Sequence, residues 1–274
     1  MDGQQSGGGA QRLNTIEEIV VGSWGELNDR LFERSWQESI ARYRSPFAFR
    51  GSSRVEHDLS TSLQTGGFEQ HELHLLRHFR KYALLSPVGE DTVWNWLSLG
   101  KHHGLPTRLL DWSYSPFIAL HFATQDSTQF DVDGCIWQVD YSRTNDLLPA
   151  RLRDLLQVDA ALIFTTEMLN RVAPTLSDFD ALSDRDFVVF FEPPSLDQRI
   201  VNQFALFSVI SRASLPPTQV LAASEGLCRK IIIPAGLKWE IRDKLDQANI
   251  TERVLFPGLD GLSRWLKRYY MRRQ

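Results

Sequence analysis

The sequence predicts an α+β domain in which a mostly antiparallel sheet is flanked by helices. Three observations lead there. Strand-length apolar runs, such as Gly134-Cys135-Ile136-Trp137-Gln138-Val139 and Asp186-Phe187-Val188-Val189-Phe190-Phe191-Glu192, gather after residue 124. Helical periodicity instead dominates residues 60–99 and returns over 238–248 and 259–270. With 274 residues, 42% of them hydrophobic, and eight Trp, the chain can bury one large core.

Taken in order, residues 1–12, MDGQQSGGGAQR, lack an apolar pattern and read as a flexible tail, which leaves 13–274 as a single domain. Residues 16–21 suit a short strand. Ser23-Trp24-Gly25-Glu26 then opens an amphipathic helix carrying Leu27, Leu31, Phe32 and Trp36, expected to pack in front of the strand that bears Arg50. In that strand, Pro46 to Ser53, aromatics alternate with small residues and lead into Arg50-Gly51-Ser52. An Arg there, followed by a Gly that lets a ligand approach the backbone, presents one fixed cation to an anionic group.

Helical pattern over 60–99 breaks around Ser86-Pro87-Val88-Gly89 and restarts behind a cap at Asp91 or Thr92. His71, His74 and His78 share one helix face, but no carboxylate or Cys stands at matching spacing, so they read as a partly solvated face and not as a metal site.

Residues 99–124, LGKHHGLPTRLLDWSYSPFIALHFAT, organise the rest. Gly104 can close the preceding helix at positive φ, and Pro106 stops its continuation. Leu109, Leu110 and Trp112 read as a buried strand. Ser115 is a good N-cap and Pro116 suits the first position of a helix that is apolar on nearly every side. The N-terminus of such a helix, with Ser113 and Ser115 beside it, suits a phosphate or pyrophosphate. The other reading is architectural, with Asp111 and Arg108 satisfying buried backbone groups or each other. Asp111 is accordingly expected to be buried, paired with Arg108 or with turn N–H groups, and not catalytic. His102 and His103 stand at the mouth of this turn, where one of them either polarises a substrate or serves structure.

Beyond residue 124, the segment 144–184 between two strand candidates reads as an insertion or lid. Pro193 and Pro194 end the second strand. Arg199-Ile200-Val201-Asn202-Gln203 leads into another at 204–210, and 230–233 forms one more before the two terminal helices. A net charge of −4 gives no nucleic-acid signature, and the basic residues Arg264, Lys267, Arg268, Arg272 and Arg273 read as a solvated helix face. Two cysteines far apart, Cys135 and Cys228, suit a reducing compartment. No run is apolar enough to cross a bilayer and no signal-peptide pattern opens the chain, so a cytoplasmic location without membrane contact is expected.

Phe49-Arg50-Gly51, the run His102-His103-Gly104-Leu105-Pro106-Thr107-Arg108-Leu109-Leu110-Asp111-Trp112, then Ser115-Pro116 and Ala119-Leu120-His121-Phe122-Ala123 together resemble the FRG domain, named for its Phe-Arg-Gly motif. The likeness runs on through Arg199-Ile200, Gln203 and Phe207 to Ile233-Pro234 and Leu255 to Leu262, about residues 20 to 270. An Arg on a first strand, a Ser-containing strand before a buried helix, and a later polar residue look like the arginine–serine–glutamate class of ADP-ribosyltransferases. That resemblance implies an ADP-ribosyltransferase-like split sheet and NAD as substrate, with no metal. Arg50, Gly51, Ser52, His103, Ser113 and Ser115 would then bind NAD. Gln203 stands where a Glu is expected; a neutral amide orients a hydroxyl but is no base, so Glu192 is the substitute carboxylate. The family analogy further implies a bacterial toxin or antiphage defence effector acting on a nucleic-acid or protein acceptor, with a neutralising antitoxin protein as partner. Two other readings stay open. One is a non-catalytic module that binds a nucleotide or a partner; the other is a nuclease using Asp111, Glu192 and a divalent metal, although no compact carboxylate cluster is present in the sequence.

Overall fold

The computed structural model describes residues 16–83, 89–195 and 197–272. The expected tail over 1–12 lies outside them, as do Ser86, Pro87 and Val88 of the expected helix break. Ten strands are present among the described residues: β1 (Glu17–Val20), β2 (Trp36–Gln37), β3 (Arg42–Tyr43), β4 (Phe47–Ser52), β5 (Leu109–Ser113), β6 (Gly134–Asp140), β7 (Phe164–Thr165), β8 (Val188–Glu192), β9 (Ala205–Ile210) and β10 (Cys228–Ile233). Eight of them form one sheet in the order β1-β10-β6-β4-β5-β9-β8-β7, while β2 and β3 make a separate hairpin. Most neighbours are antiparallel. The two edge pairs, β1 with β10 and β7 with β8, are parallel, so the sheet is mixed.

At its centre the sheet nearly parts. β4 and β6 pair through six residues and β5 and β9 through five, but β4 and β5 meet only at Phe49 opposite Ser113. The expected split is thus one place where a continuous sheet opens. Packing follows the same division. On one face, Leu109, Val189, Phe191, Phe207 and Val209 join the helical segment after β6 and the helix Val93–His102. Beyond the opening, Phe47, Phe49, Ile136, Ile231 and Ile233 pack with Leu27 and Leu31 of the first helix and Ala119, Leu120 and Ala123 of the helix Pro116–Ala123. The opposite face, with Ala48, Leu110, Trp112, Trp137 and Phe190, runs across both halves.

Local signals place most elements. Ser23 accepts from the Glu26 N–H at the start of the first helix, and Thr92 rather than Asp91 caps the helix Val93–His102 by accepting from Asn95 N–H. Gly104 follows that helix at φ 84°, the left-handed conformation a C-terminal turn requires.

Four expectations are corrected. Trp36 is not helical: the first helix ends at Phe32, Arg34 turns the chain at φ 61°, and Trp36 sits in β2 against Tyr43, ring centroids 5.0 Å apart. Of the two readings of segment 144–184, insertion or lid, its packing opposes the lid. Its Leu152, Phe164, Leu169 and Phe179 are fully buried around Trp94, so the segment is core. Arg108 does not pair with Asp111. It donates to both oxygens of buried Glu72 at 2.8–2.9 Å and to Asp180 at 2.5 Å. Nor is the basic terminal helix wholly solvated, because Arg268 is buried between Glu252 and Asp246.

Candidate functional site

The opening between β4 and β5 is the mouth of a cleft of about 760 Å³. From Phe49 and Ser113 the strands diverge toward Ser52 and Leu109, and Arg50 spans the gap by donating from Nη1 to the Asp111 carbonyl at 2.8 Å. Arg50 to Ser53 form one wall and Asp111 to Ser113 another. Lys101, His102, His103 and Gly104 enter from the end of the helix Val93–His102. Arg199, Ile200 and Gln203 come from the helix Gln198–Asn202 and its last turn, and Phe122 and Gln125 close the remaining side.

Charge in this cleft is mostly positive. Arg50, Lys101 and Arg199 line it, and Asp111 is the one carboxylate among its lining residues. Lys101 Nζ lies 2.7 Å from Asp111 Oδ2, and Arg50 Nη1 lies 3.8 Å from the same oxygen. Desolvation pushes the Asp111 pKa up, but Lys101 and then Arg50 outweigh it and hold the carboxyl below its usual range, so it is ionised. Desolvation likewise draws Arg50 below the usual guanidinium value, with Asp111 opposing it; an Arg stays charged all the same. Arg199 has no carboxylate partner among the described residues and rests over the Phe256 ring, 5.0 Å from its centroid. His102 Nε2 meets Asp197 Oδ2 at 2.6 Å. Asp197 also accepts from the N–H groups of Arg199 and Ile200, so this pair ties the helix that carries Lys101 to the start of the helix that carries Arg199.

Of the residues read from the sequence, Arg50, Gly51, Ser52, His103, Ser113 and Gln203 all line the cleft, and Glu192 and Ser115 do not. Gly51 is there for packing: a Cβ would lie 1.8 Å from the Ala119 carbonyl oxygen, so helix backbone fills the space a ligand was expected to approach. The Ser52 hydroxyl donates to the Arg54 carbonyl at 2.9 Å. Buried Ser113 donates to the Gln203 carbonyl at 2.8 Å and accepts from Ser115 N–H at 3.0 Å, which fixes the wall around Gln203. Gln203 is on no strand; it ends the helix Gln198–Asn202, and its amide donates to the Leu255 carbonyl at 2.9 Å.

Glu192 and Ser115 sit in an adjoining groove with Tyr114, Val201 and Phe204. There Glu192 accepts from the Tyr114 hydroxyl at 2.8 Å, and desolvation, then this carboxylate, push the phenol pKa up. The start of the helix Pro116–Ala123 belongs to that groove too, through Tyr114, Ser115 and Ile118. Only the far end of the helix, at Phe122, reaches the cleft. The expected phosphate site at this helix N-terminus is therefore turned away from the cations, because the chain reverses at Ser113 before the helix begins.

Two of the lining cations, Lys101 and Arg199, are not among the site residues expected from the sequence. Lys101 directly precedes the His-His-Gly turn and so shares its position at the cleft, which is the signal that pointed to it. Among the described residues, no three His, Cys, Asp or Glu side chains converge into a metal-sized group.

Residues 45–132 match the FRG domain. The matched segment holds β4, the Lys101–Gly104 corner, β5 and the helix behind them, which supports the FRG family for this chain. Neither a curated protein nor a solved structure matches the chain. Within the FRG segment lie Arg50, Lys101, His103 and Asp111, whereas Arg199 and Gln203 come from beyond it. No helix among the described residues is long and apolar enough to cross a membrane.

Proposed function

We propose that the cleft binds NAD through its pyrophosphate and that the chain is an ADP-ribosyltransferase-like protein acting on that substrate. One observation carries the reading: Arg50, Lys101 and Arg199, from three separate elements, converge on a single cleft in which Asp111 is the one lining carboxylate. Three cations against one anion favour a ligand with more than one negative charge, and a guanidinium fixed at a strand edge suits a phosphate oxygen pair. The cleft also falls within the 300–1,000 Å³ range of small-molecule sites, about what a nucleotide needs. Ser113 supports the wall opposite Arg50 through the Gln203 carbonyl, so its role is to hold the site's shape.

A second reading, a nucleotide-binding module without turnover, is favoured by the placing of Glu192 in the neighbouring groove and by the engagement of the Gln203 amide with Leu255. Calorimetric titration with NAD together with chromatographic detection of nicotinamide separates the two. Binding with nicotinamide release supports the transferase; binding alone supports the module. Arg50→Ala is expected to weaken NAD binding by about tenfold to a hundredfold, the worth of a charged hydrogen bond, while melting close to wild type. An Arg50→Ala protein that binds NAD normally, or that fails to fold, would assign the guanidinium to the sheet instead.

A further inference from the structure

We infer that Asp111, and neither Glu192 nor Gln203, supplies the carboxylate that faces the reacting ribose in the cleft, an inference that rests on the NAD reading above. The register of β5 places it. Leu110 and Trp112 are buried on the face that runs across both halves of the sheet, so the pleat turns Asp111 the other way, into the opening between β4 and β5. Asp111 is the exposed residue of an otherwise buried strand, with 53% of its side chain accessible inside the cleft.

Its two oxygens are not equivalent. Lys101 and Arg50 make their closest approaches to Oδ2, and no hydrogen bond to Oδ1 is present among the described residues. Here Oδ2 is held by two cations while half of the side chain stays open to the cleft. The alternatives lack that placing: Glu192 is held by Tyr114 in the adjoining groove, and Gln203 carries no charge.

The same arrangement orients the substrate. Phosphates are repelled by Asp111 and drawn to Arg199 and the outer side of Arg50, which leaves the nicotinamide ribose beside Oδ1. In the reaction the bond between ribose C1′ and the nicotinamide nitrogen breaks, and its electron pair leaves with the nicotinamide, which departs neutral. Positive charge then spreads over C1′ and O4′, where an anion held in advance lowers the barrier. A nucleophile, water or an acceptor O–H or N–H, forms the new bond to C1′ and releases its proton by way of Oδ1 to solvent.

The test compares Asp111→Asn, Glu192→Gln and wild type, reading NAD affinity by calorimetry, nicotinamide release by chromatography and folding by thermal melting. Asp111→Asn is expected to bind NAD at least as tightly as wild type, because an anion has left a phosphate site, while release falls by about a hundredfold or more. Should that variant fail to fold, Asp111→Glu decides. Moving the carboxylate by one methylene lowers release about tenfold to a hundredfold at unchanged affinity, and release at the wild-type rate overturns the inference. Wild-type turnover by Asp111→Asn, or a loss confined to Glu192→Gln, overturns it while leaving the NAD reading intact. Wild-type protein that binds NAD without releasing nicotinamide also overturns it, and wild-type protein that binds no NAD overturns both.

Discussion

Gly51 is glycine because the backbone of another element occupies the place of its side chain. The helix Pro116–Ala123 lies across β4 so closely that a Cβ at this position would meet the Ala119 carbonyl oxygen at 1.8 Å and the Ala123 nitrogen at 2.7 Å. Neither atom is the end of a flexible side chain, so the strand or the helix must move. Gly51→Ala is therefore expected to destabilise the fold by at least the 1–3 kcal/mol typical of an overpacked core, about the scale that urea unfolding resolves, and, on the NAD reading proposed above, to weaken NAD binding as Arg50 shifts with its strand. An alanine variant of wild-type stability would show that the two backbones are not in contact. The motif was plain in the sequence, but its reason was not. A glycine after Arg50 fits a ligand approach and a helix crossing equally well, and Ala119 becomes its neighbour only when β5 and the helix after it have folded back.

Arg108 shows which links between elements could be read and which could not. Its guanidinium joins Glu72, at the start of the helix Glu72–Tyr82, to Asp180 at the end of the helix Leu176–Asp180, and it also contacts the Ile210 carbonyl at the end of β9. Both Arg108 and Glu72 are about 5% exposed. Glu72→Ala leaves a buried guanidinium with only the half-exposed Asp180 as anion, and the expected loss is about 3–5 kcal/mol by urea denaturation; a loss below about 1 kcal/mol would mean that water reaches Arg108. The expected pairing of Arg108 with Asp111 failed for a steric reason. β5 begins at Leu109, and Arg108 stands at a bend before it with its guanidinium on Glu72 and Asp180, whereas Asp111 finds Lys101 from a helix packed beside its strand. Signals confined to a few residues were legible: the Thr92 cap, the Gly104 turn, and Ser115-Pro116 at a helix start. Strand positions for β4, β5, β6 and β9 followed from alternation or from short apolar runs as well. What alternation does not carry is strand order, and order decides that β4 and β5 are neighbours, that they open into a cleft, and that Glu192 on β8 lies outside it.

At the scale of the molecule, the part beyond the FRG segment is bound to it through a buried charged network with two groups poised to respond to acid. His121, on the helix after β5, accepts at Nδ1 from Arg242 Nη1 at 3.0 Å, while Arg268 donates to Glu252 at 2.6–2.7 Å and to Asp246 at 2.7 Å. Burial, reinforced by the Arg242 charge, pushes the His121 pKa from 6.5 down to about 3, so the imidazole is neutral in the folded protein. Burial alone would raise Glu252, but hydrogen bonds from Arg268 prevail and bring it from 4.5 down to about 2. Both shifts have the same sign. As pH falls below 6.5 the unfolded chain takes up a proton at residue 121 that the folded chain refuses until about pH 3, and below 4.5 the unfolded chain takes up another at residue 252. Each refused proton lowers stability by up to about 1.4 kcal/mol per pH unit. Unfolding midpoints in urea are therefore expected to hold above pH 6.5, to decline from 6.5 to 4.5, and to fall more steeply below 4.5. His121→Asn, whose amide oxygen can still accept from Arg242, separates the two groups. It should flatten the upper limb and keep the lower one, because Glu252 and Arg268 are untouched. If wild type and His121→Asn instead decline in parallel from pH 6.5 to 4.5, His121 is already protonated in the folded chain, and the join between the two parts of the molecule does not rest on a neutral imidazole.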